Sequence, residues 1–239
     1  MNTGFRPRIL PYGLAALGGA SLWTLAAHAQ RPSADEEQRL SFTHPTAITN
    51  SYLPLGSLHR DLLEGKEESK TIRIERTMKP GTRAFTLDGQ KVAARIMEDR
   101  EFTNGKLSEV ALDYFAQTDD GAVYYFGEKV DTYRNGKVVG HEGAWLTGEK
   151  NARPGVMMPA HPKVGDTFHS ENVPGVAVES DAVVAVDETV TVPSGTYKHC
   201  VKVKESVEGE DPEYKYYAPK VGVVREVPHG GDVRLISHK

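Results

Sequence analysis

The chain has 239 residues, with 29 Lys and Arg against 33 Asp and Glu, 38% hydrophobic and 26% charged side chains, and a single Cys. This balance excludes a polytopic membrane protein and a disordered chain. The net charge of −4 offers no attraction for nucleic acid, and one Cys makes neither an internal disulfide nor a thiolate metal cage.

Residues 1–29 read as a secretory signal peptide. Arg6 and Arg8 form the positive start, Ile9 to Ala27 is almost uncharged, and Ala27-His28-Ala29 places small residues at both positions a signal peptidase inspects. Pro11, Gly13, Gly18 and Gly19 dilute the apolar stretch and argue against a membrane anchor. The expected location is periplasmic or secreted, with no stable membrane insertion after cleavage. Losing the two Arg leaves 27 basic against 33 acidic residues, a net −6. About 210 mature residues suffice for one core without a disulfide staple.

Residues 30–45 are polar and predict an extended or mobile arm; residues 46–239 predict one domain. Ile48 to Leu55, with Tyr52 and Pro54, reads as an edge docked on the body. The dominant period beyond it is two. Asp88-Gly89, Asn104-Gly105, Asp120-Gly121 and Asn135-Gly136 punctuate strand-like runs and favour two-residue hairpin turns. A Pro/Gly/Met loop follows from Arg153 to Gly165. Further strands are expected at 166–172, 180–192, 196–206, 213–218 and 221–228, with a turn at Pro193-Ser194-Gly195. The predicted fold is all-β: a single curved antiparallel meander sheet closing into a barrel or half-barrel. Tyr114-Phe115-Ala116 with Gly121-Ala122-Val123 is echoed by Tyr216-Tyr217-Ala218 with Gly222-Val223-Val224, suggesting a repeated hairpin or simply two similar strand ends.

The run from Thr196 to Glu226, with Cys-Val-Lys-Val-Lys-Glu and Tyr-Tyr-Ala-Pro-Lys-Val-Gly-Val-Val-Arg-Glu, resembles the end of a group of uncharacterised secreted bacterial β-rich proteins. The Ile48-Thr49-Asn50 opening and the Val123-Tyr124-Tyr125-Phe126-Gly127-Glu128 strand extend that resemblance over most of the mature chain. A weaker similarity, over about a quarter of it, is to LolA/LolB-like lipoprotein-carrier half-barrels. It implies a curved sheet with an apolar concave face and transfers no functional residue.

Two-residue turns fix cross-strand register. Regular pairing from the three turns after residue 100 sets Arg100 opposite Glu109, Ile96 opposite Asp113, Phe115 opposite Phe126, Asp113 opposite Glu128, Phe126 opposite Trp145 and Val130 opposite His141. One face would then carry Ile96, Phe102, Leu107, Phe115, Tyr124, Phe126, Val130, Val139 and Trp145, with Glu98, Arg100, Glu109, Asp113, Glu128 and His141 among them. Buried charge must be paired, protonated or wet. The candidate ligand-binding set is therefore Arg100, Glu109, Asp113, Glu128, His141, Phe115, Phe126 and Trp145. Asp113 and Glu128 would lie about 5 Å apart, a separation suited to acid–base work or a hard cation. A bulge would move half of these residues to the other face.

Met157, Met158, His161, His169, His199 and Cys200 lack regular ligand spacing, so no metal site and no cofactor are expected. Cys200 reads as a small apolar filler in a strand, and the acidic run Glu205, Glu208, Glu210, Asp211 and Glu213 as a solvated hairpin tip. No complete catalytic motif occurs. The leading expectation is a periplasmic or secreted binding protein for a small apolar or amphipathic ligand. The alternatives are a periplasmic hydrolase or isomerase using the carboxylate pair, and a structural envelope module with a filled core.

Overall fold

The computed structural model describes residues 39–239. The expected leader and most of the arm lie outside them. Every regular element among the described residues is a strand. The first half of the chain forms β1 (Arg60–Glu67), β2 (Lys70–Leu87), β3 (Gln90–Thr103), β4 (Lys106–Gln117) and β5 (Val123–Arg134). Shorter strands follow as β6 (Lys137–Gly140), β7 (Trp145–Leu146), β8 (Gly155–Met158) and β9 (Thr167–Val173). The second half forms β10 (Ala177–Val192), β11 (Gly195–Ser206), β12 (Glu213–Ala218), β13 (Gly222–Val227) and β14 (Gly231–His238).

All fourteen belong to one antiparallel sheet in the order β6-β5-β4-β3-β2-β1-β14-β13-β12-β11-β10-β9, with β7 and β8 also pairing β5. Two meanders are thus joined through β1 and β14, where Asp61 pairs with His238 and Glu67 with Gly231. The last strand, β14, was not anticipated from the sequence. The two ends of the path approach each other across β8. A methyl group on Gly155 would sit 2.0 Å from the Ser170 carbonyl oxygen, yet among the described residues no ladder joins β8 to β9. The sheet is not closed. No helix among the described residues is long and apolar enough to cross a membrane.

Turn chemistry explains the hairpins. Asp88-Gly89, Asn104-Gly105 and Asn135-Gly136 all take positive φ at both residues, from 50° to 79°, which matches the right-handed strand twist. Asp120-Gly121 departs from this pattern: the Thr118 N–H donates to Ala122 O and the Gly121 N–H to Thr118 O, giving a wider loop. Within β2, Lys79-Pro80-Gly81 is extruded as a bulge between the Met78–Met97 and Thr82–Arg95 pairs. Pro80 has no N–H to give the ladder, so it is tolerated there.

The inner face buries Leu63, Ile72, Ile74, Phe115, Tyr125, Val201, Val203, Tyr217 and Leu235. A second core lies on the opposite face of the first meander, where Phe85, Tyr114, Phe126 and Leu146 pack under Phe42. Residues 41–45 are accordingly docked: Asp119 accepts from the Ser41 and Thr43 hydroxyls and the Thr43 N–H, and the Gln117 N–H donates to Pro45 O.

Residues 48–58 form a plug rather than an edge strand. Ile48, Leu53, Leu55 and Leu58 are buried in the inner core. Asn50 anchors the segment: its Oδ1 accepts from the Tyr52 and Leu53 N–H groups, and its Nδ2 donates to Gly121 O and Pro159 O. Gln117 Oε1 accepts from the Thr49 and Asn50 N–H groups at 2.8 Å, and the Lys220 N–H donates to Ser51 O. The plug therefore spans the β4–β5 and β12–β13 turns. Asn50→Ala is expected to cost about 2–4 kcal/mol, since buried backbone groups lose their partners. Urea denaturation checks this; a wild-type midpoint would mean the apolar contacts alone hold the segment.

Candidate functional site

Between the two halves of the sheet lies a cavity of about 240 Å³, whereas a single water needs about 10–15 Å³. Its apolar wall comes from the plug (Leu53, Leu55, Leu58) and from Ile74, Met97, Phe115, Tyr125, Tyr217 and Val223. The rest is acidic. Asp99, Glu101, Glu109, Asp113 and Glu128 enter from β3 to β5, and Glu171, Glu179, Glu205 and Glu226 from β9 to β13. Thirteen acidic side chains line the space against two basic ones, Arg76 and Lys215.

Three groups can be distinguished. Arg76 donates at 2.8 Å both to Asp99 and to Glu226, crossing from β2 to β3 and β13. Lys215 pairs with Glu205 at 2.7 Å, beside Glu179 and Asp181, which are held by Ser170 through its hydroxyl (2.7 Å) and its N–H (2.9 Å). The third group is Asp113, Glu128 and Glu171. Tyr125 donates its hydroxyl to Asp113 at 2.7 Å, and the Trp145 indole N–H donates to Glu171 at 2.7 Å, linking β7 to β9. Apart from these, Asp61 on β1 pairs with His238 at 2.7 Å.

Burial dominates the titration of these acids. It pushes Asp113 up to about 7, helped by Asp99. Glu171 rises to about 7 through burial, against the Trp145 hydrogen bond and with Asp113 adding to the rise. Glu128 is raised well above the usual carboxylate range by burial and by Glu171, Asp113 and Glu109. Glu179 and Asp181 also reach about 7 and Glu205 about 8, all chiefly by burial. Burial opposes the charge on Lys215, but Glu205 and further acids outweigh it and raise its pKa. Near neutral pH the cavity wall is therefore a store of shared protons. Glu179, Asp181 and Glu205 bring one carboxylate oxygen each within 4.8 Å of one another, a spacing that suits a cation, although Lys215 already neutralises part of that charge.

Of the residues expected to meet on one face, Glu109, Asp113, Glu128 and Phe115 line the cavity. Asp113 does pair with Glu128. This pairing survives two departures from regular register that cancel: the wide 118–122 loop shifts Phe115 onto Tyr125, and a bulge at Gly127 restores the count. Gly127 has φ 104°, and a Cβ there would lie 2.3 Å from the Trp145 carbonyl oxygen, so the close approach of β7 requires glycine. The same shift sends Phe126 to the second core and brings Tyr125 inside. Trp145 pairs with Glu128 rather than Phe126 and packs edge-on against Tyr125.

Arg100 is displaced from the expected set. A bulge at Ser108 pairs Glu101 with Glu109 and Arg100 with Val110, so Arg100 moves to the opposite face, its guanidinium 5.9 Å from the Phe102 ring centre. His141 lies beyond the end of β6, exposed, with Nδ1 2.9 Å from Asp131. Glu205 is buried rather than part of a solvated tip, and Glu210, Asp211 and Glu213 border the cavity. Met157 also borders it, while Met158 and Cys200 are buried core residues. Arg76, Glu171, Glu179 and Lys215 were missed. Their signal was available as acids and bases alternating with Ile72, Ile74, Val183, Val203 and Tyr217, but only the approach of the two halves of the sheet brings them together.

Asp113, Glu171, Glu179, Asp181 and Glu205 titrate near pH 4 in the unfolded chain and at about 7–8 in the folded one. Their stabilising contribution is fully present below about pH 4 and lost as pH rises through 7–8. Glu75 and Asp232 are shifted downward, so their contribution is lost only as pH falls below about 4. Thermal melts of the ligand-free protein should show the midpoint falling between about pH 5 and about pH 8; a rising midpoint would contradict the burial of these acids. Glu171→Gln keeps the side-chain shape and removes a buried charge that forms above about pH 7, and is expected to stabilise the ligand-free protein at about pH 8 by about 1–2 kcal/mol. Urea denaturation of the two proteins measures the difference.

No family model, no curated protein and no solved structure matches this chain.

Proposed function

We propose that this protein binds a small amphipathic molecule in the interior of its sheet, acting as a half-barrel in the periplasm or outside the cell after signal-directed export. The observation that carries this reading is the cavity of about 240 Å³ whose lining divides between an aliphatic and aromatic wall and a wall of buried carboxylates. A purely structural domain gains nothing from such an interior, since each buried acid has to be neutralised or protonated at a cost that apolar packing avoids. Sites for small molecules have this composition, with apolar surface supplying area and a few polar groups fixing orientation.

A second reading has one observation in its favour. Asp113 titrates near 7 beside Glu128, whose pKa burial and the neighbouring acids also raise well above the usual carboxylate range. Two adjoining buried carboxyls that exchange protons near neutral pH can act as base and acid. Asp113→Asn separates the readings: a binding protein keeps a bound molecule with altered affinity, whereas an acid–base enzyme loses turnover.

The test of binding is native mass spectrometry of the mature protein purified from its own host, followed by solvent extraction. A small organic mass in excess of the polypeptide is expected. Ala111 lies on β4 in the cavity wall, and Ala111→Phe should remove that mass by filling the space while the near-ultraviolet circular dichroism stays native. A ligand-free mass for the wild-type protein, or a bound mass that Ala111→Phe leaves in place, would count against this site.

A further inference from the structure

Asp113, Glu128 and Glu171 differ from several other acids of the cavity in what neutralises them. Asp99 and Glu226 have Arg76, Glu205 has Lys215, and Asp61 has His238. Among the described residues no ion pair includes Asp113, Glu128 or Glu171. The donors they do receive, the Tyr125 hydroxyl and the Trp145 indole N–H, are neutral. All three acids are at least 91% buried.

An aromatic wall adjoins them. Phe115 and Tyr125 stack at 5.0 Å between ring centres, and Trp145 meets Tyr125 edge-on at 5.6 Å. Electron-rich ring faces beside buried carboxylates form the combination that recognises alkylammonium ions. A hard metal cation calls for six or more oxygen ligands, whereas one oxygen of Asp113 and one of Glu171 are already taken by side-chain donors.

We infer that the cavity takes an organic cation, an amine or quaternary ammonium compound, with its charged head among Asp113, Glu128 and Glu171 against Phe115 and Tyr125 and its apolar body along Leu53, Leu55 and Met97. This rests on the reading of the cavity as a small-molecule site and adds the chemical class of the ligand. An ammonium head supplies the positive charge that the three acids otherwise take from protons, so binding displaces protons from the site. The groups facing the three acids set the pH range. They are Asp99 on β3, Glu109 on β4, Tyr125 on β5 and Asp181 and Glu179 on β10, with Arg76 on β2 and Lys215 on β12 acting at longer range.

The experiment uses three probes of equal chain length, hexylammonium, hexanol and hexanoate, titrated into the mature protein by calorimetry and by fluorescence. Trp145 is the only tryptophan after residue 29, so its emission reports on this site. At about pH 8, hexylammonium is expected to bind about tenfold or more tightly than hexanol, with hexanoate weakest, and the advantage should vanish at about pH 5.5, where the acids hold their protons. Glu171→Gln and Glu128→Gln should each lower hexylammonium affinity toward that of hexanol while their near-ultraviolet circular dichroism stays native; unchanged hexylammonium affinity in both folded variants would overturn the placement of the charged head. If hexanol or hexanoate matches hexylammonium, the cation proposal is overturned while the amphipathic site stands. If no probe binds, both readings fall. Displacement of hexylammonium by equimolar calcium would overturn the organic cation in favour of a metal ion.

Discussion

The interior of this sheet is governed by the cost of taking carboxylates out of water. An unpaired buried carboxylate is so unfavourable that it either finds a cation or keeps its proton. Both solutions are present side by side. Arg76 ties Asp99 to Glu226, reaching from the first meander to the second, and Lys215 pairs with Glu205 on the neighbouring strand. Asp113, Glu128 and Glu171 have neutral donors, and their pKa values rise accordingly. The Arg76 pairs connect the two meanders, while the unneutralised group sits where β4, β5, β7 and β9 meet.

That arrangement depends on local irregularities more than on the regular ladders. The Ser108 bulge brings Glu101 and Glu109 inward and turns Arg100 outward, and the Gly127 bulge keeps Glu128 beside Asp113 while admitting β7. Bulges re-aim side chains in this way without breaking the sheet. Outside the cavity, the Phe42–Phe85–Phe126 core fixes the far face of the first meander, and the Asn50-anchored plug fixes one end of the interior. An acid-rich cavity is thus held open by apolar packing on its outer side and by a hydrogen-bonded stopper.

Much of the strand pattern was legible from residue order because alternation and turn chemistry are local. Three Asn-Gly or Asp-Gly turns adopt the conformation their residues favour, and the expected strands at 180–192, 196–206, 213–218 and 221–228 agree closely with β10 to β13. Four candidate residues, Glu109, Asp113, Glu128 and Phe115, reached the cavity because an acid placed among apolar neighbours in a strand already signals an unusual interior. Arg100, His141 and Phe126 did not, since a one-residue slip reverses the face of every residue beyond it.

The sequence by itself determined the class of fold, the positions of most turns and the presence of charge on an apolar face, since each follows from interactions within a hairpin. The tertiary structure decided which charges share a space. Glu171 and Trp145 are 26 residues apart, and Arg76 and Glu226 are 150 apart. Such contacts depend on β1 pairing with β14 and on the two ends of the sheet approaching each other, long-range pairings that residue order leaves open among many registers. Whether an acid is solvated, paired or protonated follows from that geometry, and with it the chemistry of the cavity.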